Sequence, residues 1–167
     1  TMEDKLKAKE VGEENGQYVY ETSHFRFYSP AKLNVQTVGE MGRIFEGTFT
    51  ACKSVPLNFP CRRYNFNKDV DEDNGEKQEK LVARLYLTKA DYAKATGPAH
   101  ADSAGLFRGA EGDVLVPFES LGITKKGSAY AMGTGKKQDA STLIHELTHQ
   151  MSLFGSTYPT PIWFAEG

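Results

Sequence analysis

Apolar and polar positions along this chain switch between a period of two and a period near 3.6, the marks of strands and helices. Residues 1–16 are charged and close on Gly16, which predicts a flexible tail or one solvated turn of helix. Tyr18–Tyr20 and His24–Tyr28 predict strands with Phe25 and Phe27 alternating, and His24 reads as a strand-surface residue. From Pro30 to about Lys53, Leu33, Val38, Met41, Ile44, Phe45 and Phe49 predict a helix with one apolar face, weakened by Gly39, Gly42 and Gly47. Residues 68–80 predict a polar loop, and Leu81–Leu87 a strand buried on both faces. Thr88 and Asp91 have the spacing of a capping box for a short helix that ends at Gly97-Pro98, with His100 on a surface loop beyond it. Ala104–Arg108 and Asp113–Phe118 predict two strands around a turn at Gly109–Gly112, and the Gly- and Lys-rich residues 122–137 predict a loop. Leu143, Ile144, Leu147, Met151 and Phe154 give a last helix, begun at Asp139 or Ser141 and ended by Gly155.

This order of elements predicts one α+β domain over residues 17–167. The chain has 167 residues, 39% of them apolar and 25% charged, enough for a sizeable core. The net charge is −2 and no dense Lys/Arg block occurs, so nucleic acid is not an expected partner. No apolar run approaches the roughly 18 residues of a membrane-crossing helix, and no signal peptide is seen. Cys52 and Cys61 flank a short stretch holding Pro56 and Pro60. They are either bridged, which would place the protein outside the cytoplasm, or two reduced thiols. The expectation adopted is an extracytoplasmic protein whose signal has been removed.

The chemistry concentrates in Thr142–Gln150, where His145-Glu146-Leu147-Thr148-His149 has the form HExxH. Histidines four apart share one face of a helix, one turn from each other, and can reach one zinc ion. Glu146 then stands beside the metal's open position, placed to act as general base on a water. A catalytic zinc takes three protein ligands. In one zincin branch the third is a His six residues after the second, but that position is Gly155 here, so the branch is excluded. The other branch takes a Glu from a following helix. Pro159–Gly167 offers Glu166, with Pro161 suited to a first helical turn and Trp163 as an apolar anchor. Two weaker motifs fail. Asp69, Asp71, Asp73 and Gly75 approach a calcium loop, but Asn74 and Lys80 stand at its glycine and glutamate positions. Gly133–Lys136 approaches a phosphate loop, but Tyr130 and Lys137 break it.

His145–Gln150 and Trp163–Gly167 resemble the paired motifs of the gluzincin zinc metallopeptidases. The likeness is nearest to their aminopeptidase-like group and to the peptidase MA-like proteins, including the DUF1570 type. The resemblance implies a zincin-like domain: a small mixed sheet with an edge strand along the cleft, a backing helix and the HExxH helix. It implies zinc held by His145, His149 and Glu166, Glu146 as general base, and a peptide or protein as substrate. It also implies that Asp113–Phe118 is the edge strand, and that the family's C-terminal helical half, with its oxyanion partner, would lie beyond Gly167. Hydrolysis by this chain alone is then expected to be weak or absent. Two other readings stand beside it: a catalytically inactive zinc-bearing domain that captures peptides in the same cleft, and a structural metal site, which would want a fourth ligand.

Overall fold

The computed structural model of the protein describes residues 8–54, 80–133 and 141–153. Among the described residues the fold is α+β: a mixed six-stranded sheet, a separate two-stranded sheet and three helices. In chain order the main sheet has β1 (Lys9–Glu14), β2 (Gln17–Glu21), β3 (Phe25–Ser29), β4 (Leu81–Tyr86), β5 (Leu106–Arg108) and β6 (Asp113–Pro117). The helices are α1 (Val35–Ser54), α2 (Lys89–Thr96) and α3 (Ser141–Leu153). The strands are ordered β1-β2-β3-β4-β6-β5; β3, β4 and β6 run parallel, and the other pairings are antiparallel.

The sheet begins where a tail was expected. Lys9–Glu14 forms β1, paired with β2 through a two-residue turn at Asn15-Gly16. Both turn residues have positive φ, 51° and 74°, a backbone that Asn and Gly adopt at low cost and that suits the twist of a hairpin. The alternation in β3 follows the expected pattern: Phe25, Phe27 and Ser29 are buried, and Arg26 and Tyr28 face the other side. β4 was expected to be buried on both faces. Instead Leu81, Ala83 and Leu85 are buried, while Val82, Arg84 and Tyr86 are only half-covered, because the second face carries charge. There Arg84 and Arg108 both donate to Asp113, Arg84 through Nε at 2.8 Å and Arg108 through Nε at 2.8 Å.

Helix α1 starts at Val35, five residues after Pro30. Asn34 Oδ1 accepts from the Thr37 N–H at 2.7 Å and so caps the helix start, leaving Leu33 buried just ahead of it. Val38, Met41, Phe45 and Phe49 form the buried face against the phenylalanines of β3. Thr88 and Asp91 cap α2 as expected, with the Asp91 N–H donating to Thr88 Oγ1 at 3.1 Å. Residues 123–132, within the expected loop, form a hairpin of β7 (Ile123–Lys126) and β8 (Ala129–Met132). It is tied to the start of α1 by the Met132 N–H on Thr37 Oγ1, 2.8 Å. No helix among the described residues is long and apolar enough to cross a membrane. The acidic stretch 68–79, Cys61 and residues 154–167 lie outside the described residues. Cys52 is a half-buried free thiol on α1, and burial pushes its pKa up.

Two buried carboxylates make the fold sensitive to acid. Glu46, on α1, has a side chain 5% exposed and bonds to His24 through the backbone N–H (2.8 Å) and ring Nδ1 (2.6 Å). His24 stacks on Phe49 at 3.8 Å, so it is an anchor between the β2–β3 connection and α1, not a strand-surface residue. Burial raises the Glu46 carboxyl, but bonds from His24 and Thr22 outweigh it and leave its pKa below the ordinary carboxylate value. Asp113 is likewise raised by burial and brought below that value by Arg108 and Arg84. A carboxyl whose folded pKa is depressed stabilises the fold above its unfolded pKa, and this is lost as pH falls through the folded value. Thermal melts should therefore hold steady at neutral pH and decline from about pH 4 downward. Asp113→Asn should flatten part of that decline. An unchanged slope in that variant would remove Asp113 from the account.

Candidate metal centre

Helix α3 presents the HExxH residues. Leu143, Leu147 and Met151 are buried at 2%, 0% and 2% exposure, and they seat the helix against α1, β5 and β6. Ile144, expected on the same stripe, is 43% exposed and shares the outer side with His145 and Thr148. The four-residue spacing brings His145 and His149 together as expected: their Nε2 atoms are 2.8 Å apart and the rings meet edge to face at 4.4 Å. His145 is exposed and His149 is 9% exposed, so the pair faces outward from a buried base.

The two Nε2 atoms meet each other at 2.8 Å. A bond between two imidazoles at this distance needs one Nε2 protonated and the other bare, a position that a cation takes over when both are bare. Two nitrogens on a tetrahedral zinc at about 2.0–2.1 Å stand roughly 3.3 Å apart. That is about half an ångström more than the separation here, and two imidazole nitrogens are the donor type zinc takes, so the pair fits the ion. Among the described residues no group of three or more His, Cys, Asp or Glu side chains is arranged to hold a metal. Glu166, the third ligand implied by the resemblance, lies outside them.

Glu146 faces the sheet. Its Oε2 accepts the backbone N–H of Phe107, on β5, at 3.0 Å. This corrects the expected edge strand. Asp113–Pro117 is β6, an interior strand between β4 and β5, with all five residues buried. The strand that ends the sheet beside the HExxH helix is β5, Leu106–Arg108. The order could not be read from periodicity, because a three-residue strand carries almost no alternation.

Gly105, just before β5, makes room for this contact. A Cβ built there would meet Glu146 Cγ at 3.3 Å and the Leu115 carbonyl at 3.5 Å. Gly105→Ala should therefore fold, push Glu146 a few tenths of an ångström off the strand, and lower any hydrolytic rate by about tenfold, as misplaced catalytic groups do. Zinc content should not change. Equal rates in the two proteins would show that the position of Glu146 tolerates this shift.

Sequence reasoning missed Gly105, the Phe107 N–H and Gln150, the fully buried polar residue beside His149. Gln150 had a signal: it falls three residues after Leu147 and seven after Leu143, on the buried stripe. Comparison with protein-family models, with curated proteins and with solved structures gave no match.

Proposed function

We propose that this protein is a zincin-like metallopeptidase domain that hydrolyses peptide bonds, with His145 and His149 as zinc ligands, Glu166 as the third, and Glu146 as general base. The observation that carries the reading is the convergence of the two Nε2 atoms, 2.8 Å apart on one helix face, with Glu146 turned toward the last strand of the sheet. Zinc, when bound, would polarise the scissile carbonyl and acidify a water beside it. Glu146 takes that water's proton and hands it to the leaving amine. The Phe107 N–H holds the carboxylate against β5 between these transfers. β5 holds the substrate extended by main-chain hydrogen bonds, as a strand that ends a sheet can.

The test is elemental analysis. Purified protein is expected to carry about one zinc per chain, and His149→Ala and His145→Ala to lose most of it. Equal zinc in the parent and both variants would sink the assignment.

A further inference from the structure

Gln150 is the polar exception on the buried face of α3. It is 0% exposed and lies beside Met151, itself 2% exposed. Its Nε2 donates to two backbone carbonyls, Val82 O and Gly112 O, each at 3.0 Å. Two carbonyl acceptors can be met only by the NH₂ end of the carboxamide, which fixes its orientation. Val82 is on β4, and Gly112 is the residue before β6. One side chain thus ties the HExxH helix to two neighbouring parallel strands. Among the described residues its Oε1 has no hydrogen-bond partner. A buried polar atom left unmet is a cost. Methionine would fill the same space without that cost, so what the carboxamide adds is direction.

The direction matters because of what Gly112 adjoins. Asp113 follows it and holds Arg108 of β5 by two bonds, at 2.8 and 2.7 Å. Phe107, next to Arg108, gives its N–H to Glu146, one helical turn before Gln150. The bonds close a ring: Gln150 to Gly112, Asp113 to Arg108, Phe107 to Glu146, and back along α3. The helix is held against the β5–β6 hairpin at two points a turn apart.

We infer that Gln150 is a positioning residue that fixes the register of α3 against the β5–β6 hairpin, and so sets where Glu146 and the His145–His149 pair stand relative to β5. Its consequence for the metal rests on the function proposed above; the register itself does not.

The Phe107 amide reports the register directly, since its proton is the one bonded to Glu146. In metal-free protein, Gln150→Met should speed hydrogen exchange at the Phe107 amide by about tenfold relative to the amides of β2. Met151→Ala, which removes apolar packing from the same helix without a hydrogen bond, should move both together. Zinc affinity of Gln150→Met, measured by competition with a chelator, should fall by about tenfold, and that of Met151→Ala by much less. An unchanged Phe107-to-β2 ratio in Gln150→Met, or an equal change in Met151→Ala, overturns the inference. If the parent binds no zinc but Phe107 responds as expected, the metal reading fails and the register role stands. Should Gln150→Met not fold, the carboxamide protons of Gln150 in the parent decide: slow exchange supports the pin, and exchange at the rate of a free amide overturns it.

Discussion

Wherever the zinc-loaded protein hydrolyses peptides, Glu146→Gln is expected to lower that rate by about 10²–10⁴-fold and to leave zinc content unchanged. The substitution keeps the side chain's shape and its reach to the Phe107 N–H, since an amide oxygen can accept that bond as the carboxylate does at 3.0 Å. What it removes is the capacity to take a proton. The split between rate and metal content separates the role of Glu146 from those of His145 and His149, whose alanine variants should lose both. Rates are compared at equal zinc loading, and the parent's background is set by a chelator-treated sample. A Gln variant as active as its parent would show that some other group moves the proton.

Phe45→Ala should be the most damaging single change to the fold. Phe45 is fully buried and meets Phe25 and Phe27 edge to face, at 5.2 and 4.7 Å between ring centres. The three rings join α1 to β3, and α1 in turn packs against α3. Removing such a ring forfeits its transfer energy and leaves a cavity, about 3–5 kcal/mol in all. For a chain of this size that corresponds to a fall of roughly 10 °C in Tm. Val35→Ala, at a position 89% exposed on the same helix, is the control and should cost almost nothing. A Phe45→Ala loss below about 1 kcal/mol would mean that the aromatic cluster does not hold the helix on the sheet.

Much of the element order was legible because burial writes a period into the sequence. Phe25 and Phe27 alternate, Val38 through Phe49 recur at helical spacing, and Thr88 with Asp91 announces the start of α2. The His145–His149 contact was legible for the same reason, since helix geometry alone brings residues four apart together. β1 was also announced, by Asn15-Gly16, a strong hairpin signal. It went unread because every residue of β1 is exposed and no apolar alternation marks the strand. The β7–β8 hairpin was hidden in the same way behind Lys125 and Lys126, although Gly127-Ser128 is a turn pair. The strand order had no local signal at all. That β6 lies inside and β5 outside depends on partners far along the chain, as does the Arg84–Asp113–Arg108 cluster that makes the second face of β4 polar.

The parallel pairing of β3 with β4 sets the pace at which this domain can form. Phe25 lies opposite Leu81, so the first native contact between these strands must close a loop containing all of α1 and the stretch that follows it. Chain entropy alone puts that closure at roughly 3.5 kcal/mol before any contact repays it. The β1–β2–β3 meander and α1 can assemble early from neighbours in sequence. β4 and β6 can join only after the long loop closes, and although α3 also packs on α1, its contacts with β6 and with the hairpin that β6 completes wait for that closure. The HExxH helix is therefore expected to reach its place late, in a transition governed by non-local contacts and slower than that of a helical bundle of equal stability. A nascent chain would carry His145 and His149 before the sheet that seats their helix has formed.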